Sequence, residues 1–143
     1  DQGFVSLWVW KHLNRKKLSY IGFGGKGSQI RDVIHIADVC KLITKQIKKI
    51  NKINNLTLNV GGGSKNLISL KNLTKICQKI TSNKVKIFSK KDTSEYDIPY
   101  YVTDNSKVQK MYKWKPKRKI FQIVQDIYDW MMPNRKKLKK YII

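Results

Sequence analysis

Runs with helical apolar spacing alternate with short β-branched runs along the whole chain, and that alternation limits the fold to an α/β or mixed α+β class. Behind Gly3, the residues Phe4, Val5, Trp8, Val9 and Leu13 recur at helical spacing, which predicts an amphipathic helix over 4–14. A short strand is expected over 18–21, then a glycine-rich loop over 22–27 and a second strand over 33–36. Asp38 is expected to open a helix with Ile36, Val39, Cys40, Ile43, Ile47 and Ile50 on its buried face. Lys41, Lys45, Lys48, Lys49 and Lys52 would form its wet side.

Further along, 56–60 reads as a buried strand stopped by Gly61, Gly62 and Gly63. Ser69 is a good N-cap for a helix carrying Leu70, Leu73, Ile76, Cys77 and Ile80. Strands are expected over 84–88 and 100–102, and a helix carrying Val108, Met111 and Tyr112 is capped by Asp104 or Ser106. A last helix over 120–132 buries Ile120, Val124, Ile127, Trp130 and Met131 and is expected to stop at Pro133. No repeat or low-complexity linker divides the 143 residues. One unit over 1–132 and a basic tail over 133–143 is therefore the economical division.

The charge is extreme: 31 Lys and Arg against 9 Asp and Glu give a formal +22. Such a surplus ordinarily suggests nucleic acid, an anionic membrane or a polyanionic substrate. Here 27 of the basic residues are Lys and four are Arg, whereas a surface built to read phosphates or bases leans on arginine's planar fork. A solvated lysine-rich surface is the simpler reading. Cys40 and Cys77 stand too far apart to suggest a zinc site or a disulfide framework and read as buried thiols of a reducing compartment. With no signal peptide and no apolar run near the roughly 18 residues a span needs, a cytoplasmic protein is expected. The chain opens without Met in the turn Asp1-Gln2-Gly3, which is read as the loss of an N-terminal part.

Gly22-Phe23-Gly24-Gly25-Lys26-Gly27 matches G-x-G-x-x-G, but a dinucleotide site needs a helix to begin at the third glycine, and this loop leads towards a strand. A flexible loop that lets a ligand approach Arg31 is the better functional reading. Arg31 can clamp a phosphate bidentately, or it can bridge to Asp32 or to backbone. Asp104 can cap a helix or face a ligand. His12 and His35 lack acidic or thiol partners at metal spacing and read as filling of core or surface. No G-x-S-x-G elbow is present to carry a nucleophilic serine.

Taken in order, Asp1-Gln2-Gly3-Phe4-Val5, Tyr20-Ile21-Gly22-Phe23-Gly24-Gly25-Lys26, Gln29-Ile30-Arg31-Asp32-Val33, Asn59-Val60-Gly61-Gly62-Gly63, Ser69-Leu70, Tyr101-Val102-Thr103-Asp104-Asn105-Ser106-Lys107 and Trp114-Lys115-Pro116 resemble the C-terminal half of the extended short-chain dehydrogenase/reductases. The resemblance is to the NAD-dependent epimerase/dehydratase family, in its CDP-sugar branch. It implies an α/β substrate-binding part whose N-terminal Rossmann half, with its NAD, is absent from this sequence. It also implies an isomerase acting on a CDP-sugar such as CDP-paratose. The substrate-binding residues implied are Arg31 on the diphosphate, Tyr20, Ile21 and Phe23 near the base, Asp104 in the D-x-S-K stretch, and Gln29.

The pattern departs from the family at Ser94-Glu95-Tyr96-Asp97, where relatives usually carry R-x-G-D, so a second phosphate clamp is in doubt. No tyrosine has a lysine four residues later, so no catalytic pair and no cofactor-binding residue is expected in this chain, and no metal site. By itself it is expected to be inactive. The expected partner is the nucleotide-sugar substrate, with homo-oligomers compatible with the full-length protein. A basic nucleic-acid-binding module and a peripheral membrane protein using the tail are the rival readings, and neither partner is expected.

Overall fold

The α/β alternation is realised in a computed structural model that describes residues 3–53 and 55–141. The turn expected at Asp1-Gln2 falls outside the described residues. Two compact units are formed: one from Asp1–Gln29, Ser69–Pro99 and Phe121–Ile143, the other from Ile30–Ile68 and Tyr100–Ile120.

The first unit holds helix α1 (Phe4–Leu13) and strand β1 (Leu18–Ile21), at the positions the apolar spacing indicates. The buried residues Val5, Trp8, Val9 and Leu13 mark the inner face of α1. The indole of Trp8 donates to Thr74 Oγ1 at 3.0 Å, tying α1 to helix α3 (Leu70–Thr81). Ser69 caps α3 by accepting from Asn72 N–H, as its side chain suggests. Strand β4 lies at Ile87–Lys90, displaced from the expected 84–88, because its register on β1 is parallel and pairs Leu18 with Ile87 and Ile21 with Lys90. The last helix, α5 (Ile120–Leu138), runs through Pro133 and does not stop there. Proline forfeits one amide bond, but the next turn is held independently: Asn134 Nδ2 donates to Trp130 O and Arg135 Nε to Asn14 Oδ1, both at 2.8 Å.

In the second unit strand β2 occupies Ile30–Asp32, three residues before the expected position, and pairs with β3 (Leu67–Ser69). The displacement follows from His35, whose Nδ1 accepts from Ala37 N–H and starts α2 at Ile36–Ile47. The expected opening of that helix by Asp38 is corrected accordingly. Its buried positions are Asp38 and Leu42, while Ile36 and Ile47 are 70% and 64% exposed. The isoleucine stripe thus shares a face, as the spacing says, but that face is largely exposed, with Ile43, Ile47 and Ile50 lining a shallow groove beside Leu56 and Tyr112. Cys40, expected to be buried, is exposed with it; Cys77 is buried and its thiol is pushed up to about 12 by burial.

Leu42 packs with Val108, Tyr112 and Trp114, and Leu58 and Val60 lean on this core. Residues 56–60 form no strand, and 100–102 contribute only a bridge from Tyr100 to Ile30. Helix α4 (Ser106–Tyr112) completes the unit. The glycine run is forced by packing: a Cβ on Gly62 would sit 2.1 Å from Val33 O, so no other residue fits without moving backbone.

His12 is fully buried on α1 and donates Nδ1–H to Trp8 O at 2.7 Å, while Nε2 has no partner among the described residues. Burial lowers its pKa below the usual 6.5, outweighing the carbonyl contact that raises it. Below 6.5 the unfolded chain therefore binds a proton that the folded chain refuses, so stability is complete above that pH and declines as pH falls towards the folded pKa. The decline has a limiting slope of about 1.4 kcal/mol per pH unit. Melting curves between about pH 7 and 5 are expected to show the fall, and His12→Leu to remove most of it. An unchanged slope in His12→Leu would assign the effect elsewhere.

Candidate functional site: a glycine loop and an arginine strand

The glycine loop rises from β1, and two contacts fix its shape. Gly22 N–H donates to Lys90 O at 2.9 Å, and Phe23 N–H to Thr93 Oγ1 at 2.6 Å. Phe23 itself has φ 48, a left-handed conformation that is costly for a bulky residue and is commonest where backbone must be aimed at something. Gly27 lies against the Tyr20 ring, which a Cβ would approach to 2.8 Å. Tyr20 stacks on Trp8 with centroids 6.4 Å apart, and its hydroxyl donates to Thr74 Oγ1. Its side chain is thus occupied inside the unit, leaving its backbone for any ligand role.

Ile21 is exposed, and its carbonyl accepts from Gln29 Nε2. That bond fixes the amide, whose Oε1 is buried without a partner among the described residues. An acceptor in that condition is costly until something donates to it. The loop then runs into β2 and not into a helix, so it offers no helix N-terminus to a pyrophosphate, and these residues do not fit NAD.

In the second unit, Arg31 lies on β2 with Nη1 donating to Ile30 O at 2.8 Å. The neighbouring carboxylate turns away from it: Asp32 Oδ2 accepts from Gly63 N–H at 2.7 Å and Oδ1 from Thr103 Oγ1. Asp104 accepts from the backbone N–H and the hydroxyl of Ser106. Those two bonds hold its carboxyl below the usual carboxylate range. The N-cap position of α4 is Asn105, not the expected Asp104 or Ser106; Asp104 precedes it and borders a groove of about 360 Å³ with Gly63, Thr103 and Gln109.

Sequence reasoning missed two organising groups here. Asn105 bonds both backbone groups of Gly61, accepting from its N–H at 3.0 Å and donating to its carbonyl at 2.9 Å. Asp38, read as a helix opener, is 1% exposed and gathers donors from residues 117 and 118. No local pattern marks a long-range acceptor of this kind. Among the described residues no three His, Cys, Asp or Glu are placed to hold a metal, and no helix is long and apolar enough to cross a membrane.

The fold is shared with part of several solved epimerases and dehydratases. An epimerase of Methanothermobacter thermautotrophicus superposes with a TM-score of 0.83 at 14% identity, over 98% of this chain and 40% of its own. UDP-glucose 4-epimerase of Thermotoga maritima, solved with UDP-glucose, gives 0.74 at 20% identity over 95% and 40%. A dTDP-glucose 4,6-dehydratase of Bacillus anthracis in complex with NAD gives 0.73 at 21% over 97% and 42%. In sequence the chain is 30% identical, over 132 residues, to CDP-paratose 2-epimerase of Salmonella typhi, covering 91% of this chain and 39% of that protein. No family model matches. The chain spans about two fifths of the length of the relatives it matches, and over that stretch it is similar in sequence to CDP-paratose 2-epimerase and in fold to the epimerases and the dehydratase named above.

Proposed function

We propose that this chain is the nucleotide-sugar-binding part of an NAD-dependent epimerase acting on a CDP-sugar. The sequence identity to CDP-paratose 2-epimerase across nine tenths of the chain carries the reading. Arg31 binds the diphosphate, and the backbone of Tyr20, Ile21 and Phe23 with the Gln29 amide receives the base. Asp104 orders the start of α4 beside the groove it borders. NAD, when bound by the remaining part of such an enzyme, supplies the transient oxidation of a sugar carbon and the return of its hydride. The residues of this chain hold and orient the substrate. Alone they turn nothing over.

The base preference has a physical source in Gln29. Its Nε2 is engaged by Ile21 O, which leaves the buried Oε1, without a partner among the described residues, as the acceptor that a base amine would meet. Cytosine carries an exocyclic amine that donates, whereas uracil and thymine carry a carbonyl oxygen at the same position. Calorimetric titration with CDP, UDP and dTDP is expected to give the tightest binding for CDP. Gln29→Glu should weaken that preference, because a carboxylate cannot donate to Ile21 O and the bond that orients the acceptor is lost. Equal affinities for the three nucleotides would overturn the CDP assignment while leaving nucleotide-sugar binding intact, and no binding of any would overturn both.

A further inference from the structure

A lysine-lined groove lies in the Ile30–Ile68/Tyr100–Ile120 unit and shares no residue with the substrate reading. A groove of about 790 Å³ runs beside α2 and the extended segment after α4. Six lysines line it: Lys41, Lys45, Lys48, Lys113, Lys115 and Lys117. Among the described residues none of the six ammonium groups has a hydrogen bond or an ion pair. Asp38, the acidic residue of the lining, is spent on Arg118 at 2.8 Å.

A lysine-dense surface scatters its charge, but this groove concentrates it by construction. Lys41 and Lys45 on α2 and Lys48 at its C-cap follow one face at intervals of four and three, spanning about 10 Å. On the other wall Lys113, Lys115 and Lys117 are exposed, while Trp114 between the first two is buried. The segment is pinned from below. Trp114 Nε1 donates to Asp38 O, and the N–H groups of Lys117 and Arg118 donate to Asp38 Oδ2, all at 2.9 Å. One buried carboxylate thus fixes the backbone that turns three lysines towards three others. Lys49, by contrast, is turned aside to Met111 O and the Tyr112 ring.

We infer that this groove binds a compact polyphosphate, an anion with three or more linked phosphates. Like charges this close repel one another, and an anion of high charge density relieves them all at once. Lysine suits phosphate as a point charge, with no planar fork required. The volume is that of a small-molecule site, about 300–1,000 Å³. The lining offers no stacking platform for bases, because its one ring, Trp114, is 5% exposed and hydrogen-bonded.

The test is titration of the protein with inorganic tripolyphosphate, and in parallel with orthophosphate and a single-stranded oligonucleotide, at matched ionic strength. Tripolyphosphate is expected to bind and to raise the melting temperature, with orthophosphate at least about tenfold weaker. The triple variant Lys41→Gln, Lys45→Gln, Lys48→Gln should lose at least about tenfold in tripolyphosphate affinity. A control with the same charge loss, Lys75→Gln, Lys84→Gln, Lys136→Gln, removes exposed lysines outside the groove and should lose less than about threefold. All six changes are on exposed side chains, and the unliganded melts of both variants verify folding. Equal losses in the two variants would reduce the effect to net charge and overturn the site. So would orthophosphate matching tripolyphosphate, or an oligonucleotide that binds more tightly through the same three lysines.

Discussion

Asp38→Ala is expected to cost the Ile30–Ile68/Tyr100–Ile120 unit about 3–5 kcal/mol, the range for breaking a buried ion pair by deleting one partner. The carboxylate accepts two backbone N–H groups and one arm of a guanidinium, so its loss strands three donors together. Burial alone would push its pKa up, but the N–H groups of Arg118 and Lys117 and the Arg118 charge outweigh it and hold it below the usual value of 3.8. The stability this contributes is present above 3.8 and is lost as pH falls through the lower folded value. At neutral pH the full effect is therefore available to measurement. Asp38→Asn keeps the shape and one acceptor oxygen, and it should cost less than Asp38→Ala. Denaturant melts of the two variants check the order, and an Asp38→Ala protein within about 0.5 kcal/mol of the parent would remove Asp38 as the organiser of this unit.

How Asp38 escaped the sequence reading shows what local pattern conveys. Its place ahead of an apolar-periodic run marks it as a helix opener, and periodicity contains no information about a partner 80 residues away. Where the determinants are local the reading succeeds: α1 and β1 fall on the expected residues, and Ser69 caps α3. Where a tertiary partner decides, it slips. The β-branched run over 33–36 is good strand material, yet His35 caps a helix inside it and the paired strand is Ile30–Asp32. The expected strand over 56–60 packs on the Leu42 core without a ladder. The isoleucines of α2 are periodic but exposed, because periodicity defines a face and does not supply the protein that covers it. The loop's position was legible from its glycines. The left-handed Phe23 and the partnerless Gln29 oxygen were not, since each depends on where Thr93 and Ile21 place their oxygens.

Arg31→Ala is expected to weaken CDP binding by roughly ten- to a hundredfold, since a charge-assisted hydrogen bond contributes about 1.5–3 kcal/mol and each 1.4 kcal/mol or so is a factor of ten. The fork that Arg31 carries on β2 suits two oxygens of a diphosphate at once, and Nη1 is oriented by Ile30 O. Arg31→Lys should recover only part of the loss, because an ammonium is a point charge. If Ser94 leaves a second clamp empty, as the resemblance implies, Arg31 would bear more of the diphosphate and Ser94→Arg should tighten binding. A structural role predicts a different pattern. If Arg31 serves only its own strand, Arg31→Ala lowers the melting temperature and leaves CDP affinity unchanged in the folded fraction. Titrating CDP against the three variants while recording their melts separates the two, and an unaltered affinity in Arg31→Ala removes the residue from the site. Asp32 provides the internal contrast, since it is committed to Gly63 and Thr103. Asp32→Asn should therefore shift the melt far more than the affinity, so that two adjacent residues on one short strand divide ligand binding from scaffold.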